Sequence, residues 1–140
     1  MAELVIKTTK EKEVVDITDK INDFLAKEKV DDGLVNIFLT HTTAALATAD
    51  LDPGTDLDML DAFEELIPSH QSQARYGAGY INYRHPHNPA HVPDHILSSL
   101  IGTSLTIPIK DGEMILGTWQ RVVLIELDGP RERQIICSLI

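Results

Sequence analysis

Gly33-Leu34-Val35-Asn36-Ile37-Phe38-Leu39, continued by Thr40-His41-Thr42-Thr43-Ala44-Ala45-Leu46, is the segment on which the architecture turns. A short apolar run rich in β-branched residues, opened by a glycine, reads as a central strand buried on both faces. Small and β-branched residues carry the extended chain on through Leu46. His41 follows directly on this strand. It is placed either to face a pocket or to bond a backbone carbonyl at the strand end, and the residues themselves leave both open.

Upstream, Leu4 to Thr9 alternates apolar and polar residues as a half-buried strand does. Lys10-Glu11-Lys12-Glu13 forms a charged turn that lets Val14-Val15-Asp16 pair back on it. Ile17, Ile21, Phe24 and Leu25 then recur at helical spacing, with Thr18 as the expected cap, and Asp31-Asp32-Gly33 closes that helix. Downstream, Asp52-Pro53-Gly54-Thr55 turns into a second helix. Thr55 and Asp58 form its capping box, Met59, Leu60, Phe63 and Leu66 its apolar stripe, and Pro68 its stop. Residues 69–94 read as a long loop rich in Gly, Pro, Asn and His, the kind that is either functional or disordered. A short helix from Pro93 to about Ile101 ends at Gly102. Ser104–Ile109, Met114–Leu127 and Arg133–Ile140 then read as a three-stranded antiparallel meander, the middle strand broken near Gly117. This order of elements predicts a single α+β domain over residues 1–140, a largely antiparallel sheet or sandwich with two to three helices.

The chain has 140 residues, 43% of them hydrophobic and 24% charged, which suits a packed globular core. Twelve basic against 22 acidic residues leave a net charge of −10. With no basic run to offset it, that field excludes nucleic acid as a partner, whereas a small anion is still accessible to local Arg and His groups. The lone cysteine, Cys137, forms no internal disulfide and reads as a small buried hydrophobe within Ile135–Ile140. No secretory leader and no span of about 20 apolar residues is present, so no membrane partner is expected and the location expected is cytoplasmic.

The chemistry concentrates in histidine. His85, His87, His91 and His95 fall within eleven residues, and His41 joins them as a candidate from the central strand. Imidazole ligates transition metals and titrates near neutrality, so such a group suits metal binding or acid–base work. No cysteine pair or His-Glu-x-x-His accompanies it, and hydrogen bonding within a polar loop is the competing explanation. His70, beside Ser69 and Gln71, reads as solvated. Asp50, Asp52 and Asp56 are oxygen donors for a divalent cation or, equally, turn and cap residues. Arg131 and Arg133 follow a tight turn in Gly129-Pro130-Arg131-Glu132-Arg133, a setting fit for phosphate or carboxylate. Trp119 and Gln120 sit together in Gly117-Thr118-Trp119-Gln120, with Trp119 read as a core or interface anchor.

Taken in order, His41-Thr42-Thr43-Ala44-Ala45-Leu46, Tyr83-Arg84-His85, Pro93-Asp94-His95-Ile96, Gly102-Thr103-Ser104-Leu105-Thr106-Ile107-Pro108, Gly117-Thr118-Trp119-Gln120 and Asp128-Gly129-Pro130-Arg131 resemble the YjbQ-like family, also called the secondary thiamine-phosphate synthase family. The resemblance runs from about Gly33 to the C-terminus. It implies an α+β domain that forms a homotrimer around a threefold axis, with a pocket near the subunit boundaries. It further implies His41, His85 and His95 as shared metal positions, for Zn or Mg, with His41, His95 and Arg131 catalytic. Thr42, Asp50, Trp119, Gln120 and Arg131 would contact a small phosphorylated substrate. The implied reaction joins a pyrimidine pyrophosphate to a thiazole phosphate with loss of pyrophosphate. Two departures stand out: Ala49-Asp50 replaces the family's frequent Asn-Glu, one methylene shorter in reach, and His91 replaces an Asn or Asp while His87 is additional.

Overall fold

A computed structural model describes residues 1–69 and 92–140. Eight strands and three helices alternate among these residues: β1 (Ala2–Lys7), β2 (Glu13–Asp16), α1 (Thr18–Lys27), β3 (Gly33–Leu39), β4 (Ala44–Ala49), α2 (Thr55–Leu66), α3 (Val92–Ile101), β5 (Ser104–Lys110), β6 (Glu113–Met114), β7 (Arg121–Glu126) and β8 (Glu132–Leu139). They form two antiparallel sheets, a larger one ordered β1-β8-β3-β5-β6 and a smaller one ordered β2-β7-β4. The expected α+β class with antiparallel sheets and three helices is what is found.

The two sheets pack face to face over Ile6, Val35, Ile37, Leu39, Leu46, Leu124 and Ile135, with Ile17, Ile21, Phe24 and Leu25 of α1 closing one side. The opposite face of the smaller sheet carries a second apolar layer. There Ala45, Val123, Ile125 and Leu127 meet Leu97 of α3 and the half-buried Met59, Leu60 and Phe63 of α2. Because β7 lies between these layers, every residue from Val122 to Leu127 is buried. β7, rather than β3, is thus the strand covered on both faces. In β3 burial alternates, and Leu34 and Phe38 remain 39% and 45% exposed while Val35, Ile37 and Leu39 are buried.

The pairing corrects the expected meander. The β5–β6 hairpin exists, with Ile109 opposite Met114. Its two turn residues, Asp111 and Gly112, both take positive φ, as a tight primed turn requires. β7, however, leaves for the smaller sheet and pairs with β2 and β4, and β8 returns to the larger sheet between β1 and β3. Asp128-Gly129-Pro130 is therefore a crossover between sheets. Turn residues announce a reversal but do not say which strand comes to lie alongside; that is set by which face must be buried. For the same reason β2 pairs with β7, not with β1.

The caps differ too. Ile17, not Thr18, precedes α1, and Asp16 accepts both the N–H and the hydroxyl of Thr18, at 3.0 and 2.7 Å. Gly54, in the left-handed region at φ 92°, precedes α2, and no side-chain capping bond forms at Thr55. Leu66 lies off the apolar stripe, 58% exposed. Cys137 is buried and unpaired as expected. Among the described residues, no helix is long and apolar enough to cross a membrane.

Candidate functional site at the loop between the sheets

Residues 40–43 carry the chain from the larger sheet to the smaller one, and every residue of this short loop is tied down. Thr40 donates its N–H to the Gln134 carbonyl at 3.3 Å, extending the β3–β8 ladder by one rung. At the next rung a side chain replaces the backbone: Nε2 of His41 accepts the N–H of Gln134 at 3.0 Å, and the side-chain amide of Gln134 lies against the same nitrogen. Thr42 offers its carbonyl to Nδ1 of His95 at 3.0 Å. Thr43 gives its carbonyl to the Leu127 N–H and to Nη2 of Arg133, which also meets the Thr43 hydroxyl at 2.9 Å.

The Arg133 anchor is itself inside the sandwich. Arg133 is 1% and Glu126 0% exposed, and the guanidinium grips the carboxylate at two points, 2.6 and 2.9 Å. Strand alternation explains their meeting. Arg133 shares the inward face of β8 with Ile135 and Cys137, and Glu126 shares that of β7 with Val122 and Leu124. Gly129 has to be a glycine here, since a Cβ would stand 2.3 Å from the Lys10 carbonyl oxygen and 2.7 Å from Oε1 of Glu126. The residues offered Arg131 and Arg133 together, and the family resemblance singled out Arg131. The clue the sequence held was an Arg and a Glu each occupying an inward slot of an otherwise apolar strand.

α3 brings His95 to the loop. Ser98, buried, donates to the Ala44 carbonyl at 2.7 Å, and Leu46 donates to the Gly102 carbonyl, so the helix is laced to the start of β4. One residue before His95, the buried Asp94 accepts from Nζ of Lys12 at 2.8 Å, and Lys12 also bonds the Leu127 carbonyl. A carbonyl oxygen can only accept, so Nδ1 of His95 carries the proton and its lone pair is on Nε2. This is the tautomer of a metal ligand or proton acceptor oriented by a backbone carbonyl. At His41, Nε2 meets both a donor, the Gln134 backbone N–H, and an acceptor, Oε1 of the same residue, so its contacts select no single tautomer.

The other candidates divide. Arg131 lies at the same end of the fold, but its Nε and Nη2 turn back onto the carbonyl and carboxylate of Asp128, at 2.7 and 2.9 Å. Asp50, Trp119 and Gln120 lie at the far end of β4. Seven residues of extended chain separate Thr43 from Asp50, on the order of 20 Å. There Asp50 accepts the Asp52 N–H in a turn and shares a small hollow with Trp119 and Arg121. Gln120 locks its own loop, accepting from the Gly117 N–H and donating to the Thr48 hydroxyl. Trp119 is 71% exposed, so it is no core anchor. His70, His85, His87 and His91 lie outside the described residues. Among the described residues, no three His, Cys, Asp or Glu side chains converge to hold a metal.

The family model described as UPF0047 protein YjbQ-like matches residues 2–140. The chain belongs to the YjbQ-like family. A UPF0047 protein of Archaeoglobus fulgidus is 37% identical over 134 residues, 96% of each chain. A crystal structure of a YjbQ/UPF0047 family protein from Clostridium acetobutylicum superposes over the full length of both chains with a TM-score of 0.86 at 30% identity. That of a conserved hypothetical protein from Thermus thermophilus does so with 0.83 at 33%. The resemblance noted in the sequence and the α+β fold it implies both hold for this YjbQ-like chain.

Proposed function

We propose that the loop at residues 40–43 and the start of α3 form a small-molecule active site whose working group is His95. One observation carries this: the Thr42 carbonyl accepts from Nδ1 of His95 and so orients the imidazole at the loop, as a backbone carbonyl orients a metal ligand or general base. The reaction proposed is the one the family resemblance implies, coupling of a pyrimidine pyrophosphate to a thiazole phosphate. In that step the bond from the pyrimidine methylene to the pyrophosphate oxygen breaks, its electron pair leaving with pyrophosphate. The thiazole nitrogen lone pair then forms the new C–N bond. No net proton transfer is needed at the new bond, so the demand on the protein is to hold two anionic substrates and stabilise the departing charge. A protonated His95 would donate from Nε2 to the leaving oxygen, with Arg131 supporting it after exchanging Asp128 for phosphate.

A divalent metal, Zn or Mg, would supply that neutralisation in place of a proton on His95, with His95 and His85 the positions to hold it. His41 fits less well as it stands, because ligation through Nε2 would displace the Gln134 N–H. The far cluster of Asp50, Trp119 and Gln120 serves the same substrate only if a neighbouring copy supplies it, and a homotrimer with sites at its subunit boundaries meets that requirement. The alternative is a metal- or anion-binding protein without turnover. The engagement of both His41 and Arg131 with neighbouring residues favours it. The test is thiamine phosphate formation from the two half-molecules with and without Mg²⁺ or Zn²⁺, with His95→Ala alongside. Product abolished by His95→Ala supports the enzyme. Metal-dependent melting without product supports the binding protein.

A further inference from the structure

His95 stands in the first turn of α3, a helix of ten residues. The N–H groups of a first turn have no acceptor within the helix, and a helix this short has little stability of its own. Where the imidazole sits is therefore decided by what holds that turn. We propose that Lys12, from the turn between β1 and β2, is a positioning residue for the site: its ammonium grips Asp94 and thereby keeps His95 at the Thr42 carbonyl. This rests on the reading of His95 as the working group, and adds to it a residue that acts through Asp94 rather than on the substrate.

A closed ring of contacts supports this. Nζ of Lys12 donates to Oδ1 of Asp94 at 2.8 Å and to the Leu127 carbonyl at 2.6 Å. The Leu127 N–H donates to the Thr43 carbonyl at 3.2 Å. Thr42, next to it in the chain, accepts from Nδ1 of His95 at 3.0 Å. Because Asp94 and His95 are neighbours, one ammonium joins the helix, the end of β7 and the loop at residues 40–43. Ser98 and Gly102, bonded to Ala44 and Leu46, fix the carboxyl half of α3, whereas Lys12 fixes its amino half. The turn that carries Lys12 is held in its own right. The Glu11 carbonyl accepts the Gly129 N–H at 2.9 Å, and the Thr8 N–H donates to the Arg131 carbonyl at 2.9 Å. Lys12 thus reaches α3 from a fixed base. The loop is clasped from two sides, by the Arg133–Glu126 pair at Thr43 and by the Lys12–Asp94 pair through Leu127.

The experiment is a long-range ¹H–¹⁵N NMR correlation of the histidine rings in the full chain, in mildly alkaline buffer, with His95 assigned by its loss in His95→Ala. The parent is expected to show His95 as one species protonated on Nδ1. Lys12→Met is expected to exchange that single pattern for an averaged one, while the amide signals of β7 and β8 keep their positions. Lys12→Met also strands the Asp94 carboxylate, which is only 4% exposed. Lys12→Met/Asp94→Asn, which removes both charges, is therefore measured beside it with the same expectation. An unchanged His95 pattern in a folded variant would overturn the proposal. So would unfolding of both variants, or movement of amides throughout the fold, since the pair would then be a general prop. Where the parent makes product, the double variant should lose about a hundredfold in kcat with KM little changed. A displaced His95 in variants of a chain that makes no product would fail the catalytic reading alone. Turnover lost in His95→Ala but parental in the double variant would fail the positioning role alone.

Discussion

Arg133→Met is the substitution whose cost the structure defines most closely. The change roughly keeps the side-chain volume but removes a guanidinium that makes two bonds to Glu126 and two to Thr43, all within 3.0 Å. What remains is a carboxylate with 0% exposure and no cation. Breaking one partner out of such a buried pair costs about 3–5 kcal/mol, because the stranded charge has neither water nor a counterion. At an m-value of about 2 kcal/mol/M, the urea midpoint should fall by about 2 M. The double variant Glu126→Leu/Arg133→Met removes the stranded charge as well. It should recover most of the loss, giving a coupling of about 3 kcal/mol in the cycle. Far-UV circular dichroism at one fixed protein concentration is the appropriate probe, since Trp119 is 71% exposed and reports poorly on the core. A midpoint shift below about 0.5 M for Arg133→Met, with the double variant merely additive, would refute the account of this pair as a buried, mutually dependent clamp on the His41 loop.

Burial pushes the Cys137 thiol up to about 11, so native protein at pH 8 should not react with a thiol-exchange reagent while urea-unfolded protein reacts fully; native labelling within minutes would contradict its burial. Burial alone would raise the Asp16 carboxyl, but bonds from the Thr18 hydroxyl and N–H, together with Arg121, outweigh it and hold the group below its ordinary value. Its contribution is thus present above the unfolded carboxylate range near 4 and disappears as pH falls through the lower folded value. Asp16→Asn should flatten the acid limb of a stability profile, and an unchanged limb would count against this. Gly129→Ala sets a methyl against the Lys10 carbonyl oxygen and the Glu126 carboxylate, and should destabilise by about 3 kcal/mol in a denaturant melt. A parental midpoint would show that the crossover relaxes.

Much of the fold was legible because local signals and burial agree. The helical spacing of Ile17, Ile21, Phe24 and Leu25 predicts α1, and all four are buried against the sheets. The failures share a cause. Asp128-Gly129-Pro130 resembles a hairpin turn, yet the strand before it has a second apolar layer to cover and the strand after it does not. The two therefore part into different sheets. Pairing of this kind depends on the whole set of faces needing burial, which no turn sequence encodes. Leu34 and Phe38 misled in the opposite direction: an apolar run broken only by Asn36 implied burial on both faces, but one face of β3 is uncovered in the single chain.

The site shows the same limit in finer detail. His41 and His95 were equal candidates by residue type, and the structure gives their imidazoles different partners, a peptide carbonyl for His95 and the N–H and side-chain oxygen of Gln134 for His41. The Thr42 carbonyl can only accept, so Nδ1 of His95 donates to it, whereas Nε2 of His41 meets a donor and an acceptor, the N–H and Oε1 of Gln134. Ligation or protonation at Nε2 of His41 would give up the rung to the Gln134 N–H. A ligand taken up at Nε2 of His41 is therefore coupled to the end of the β3–β8 ladder, whereas His95 is tied to the loop through its Nδ1. The difference in role between the two residues lies in that coupling, and it is written in the backbone groups around them rather than in the histidines.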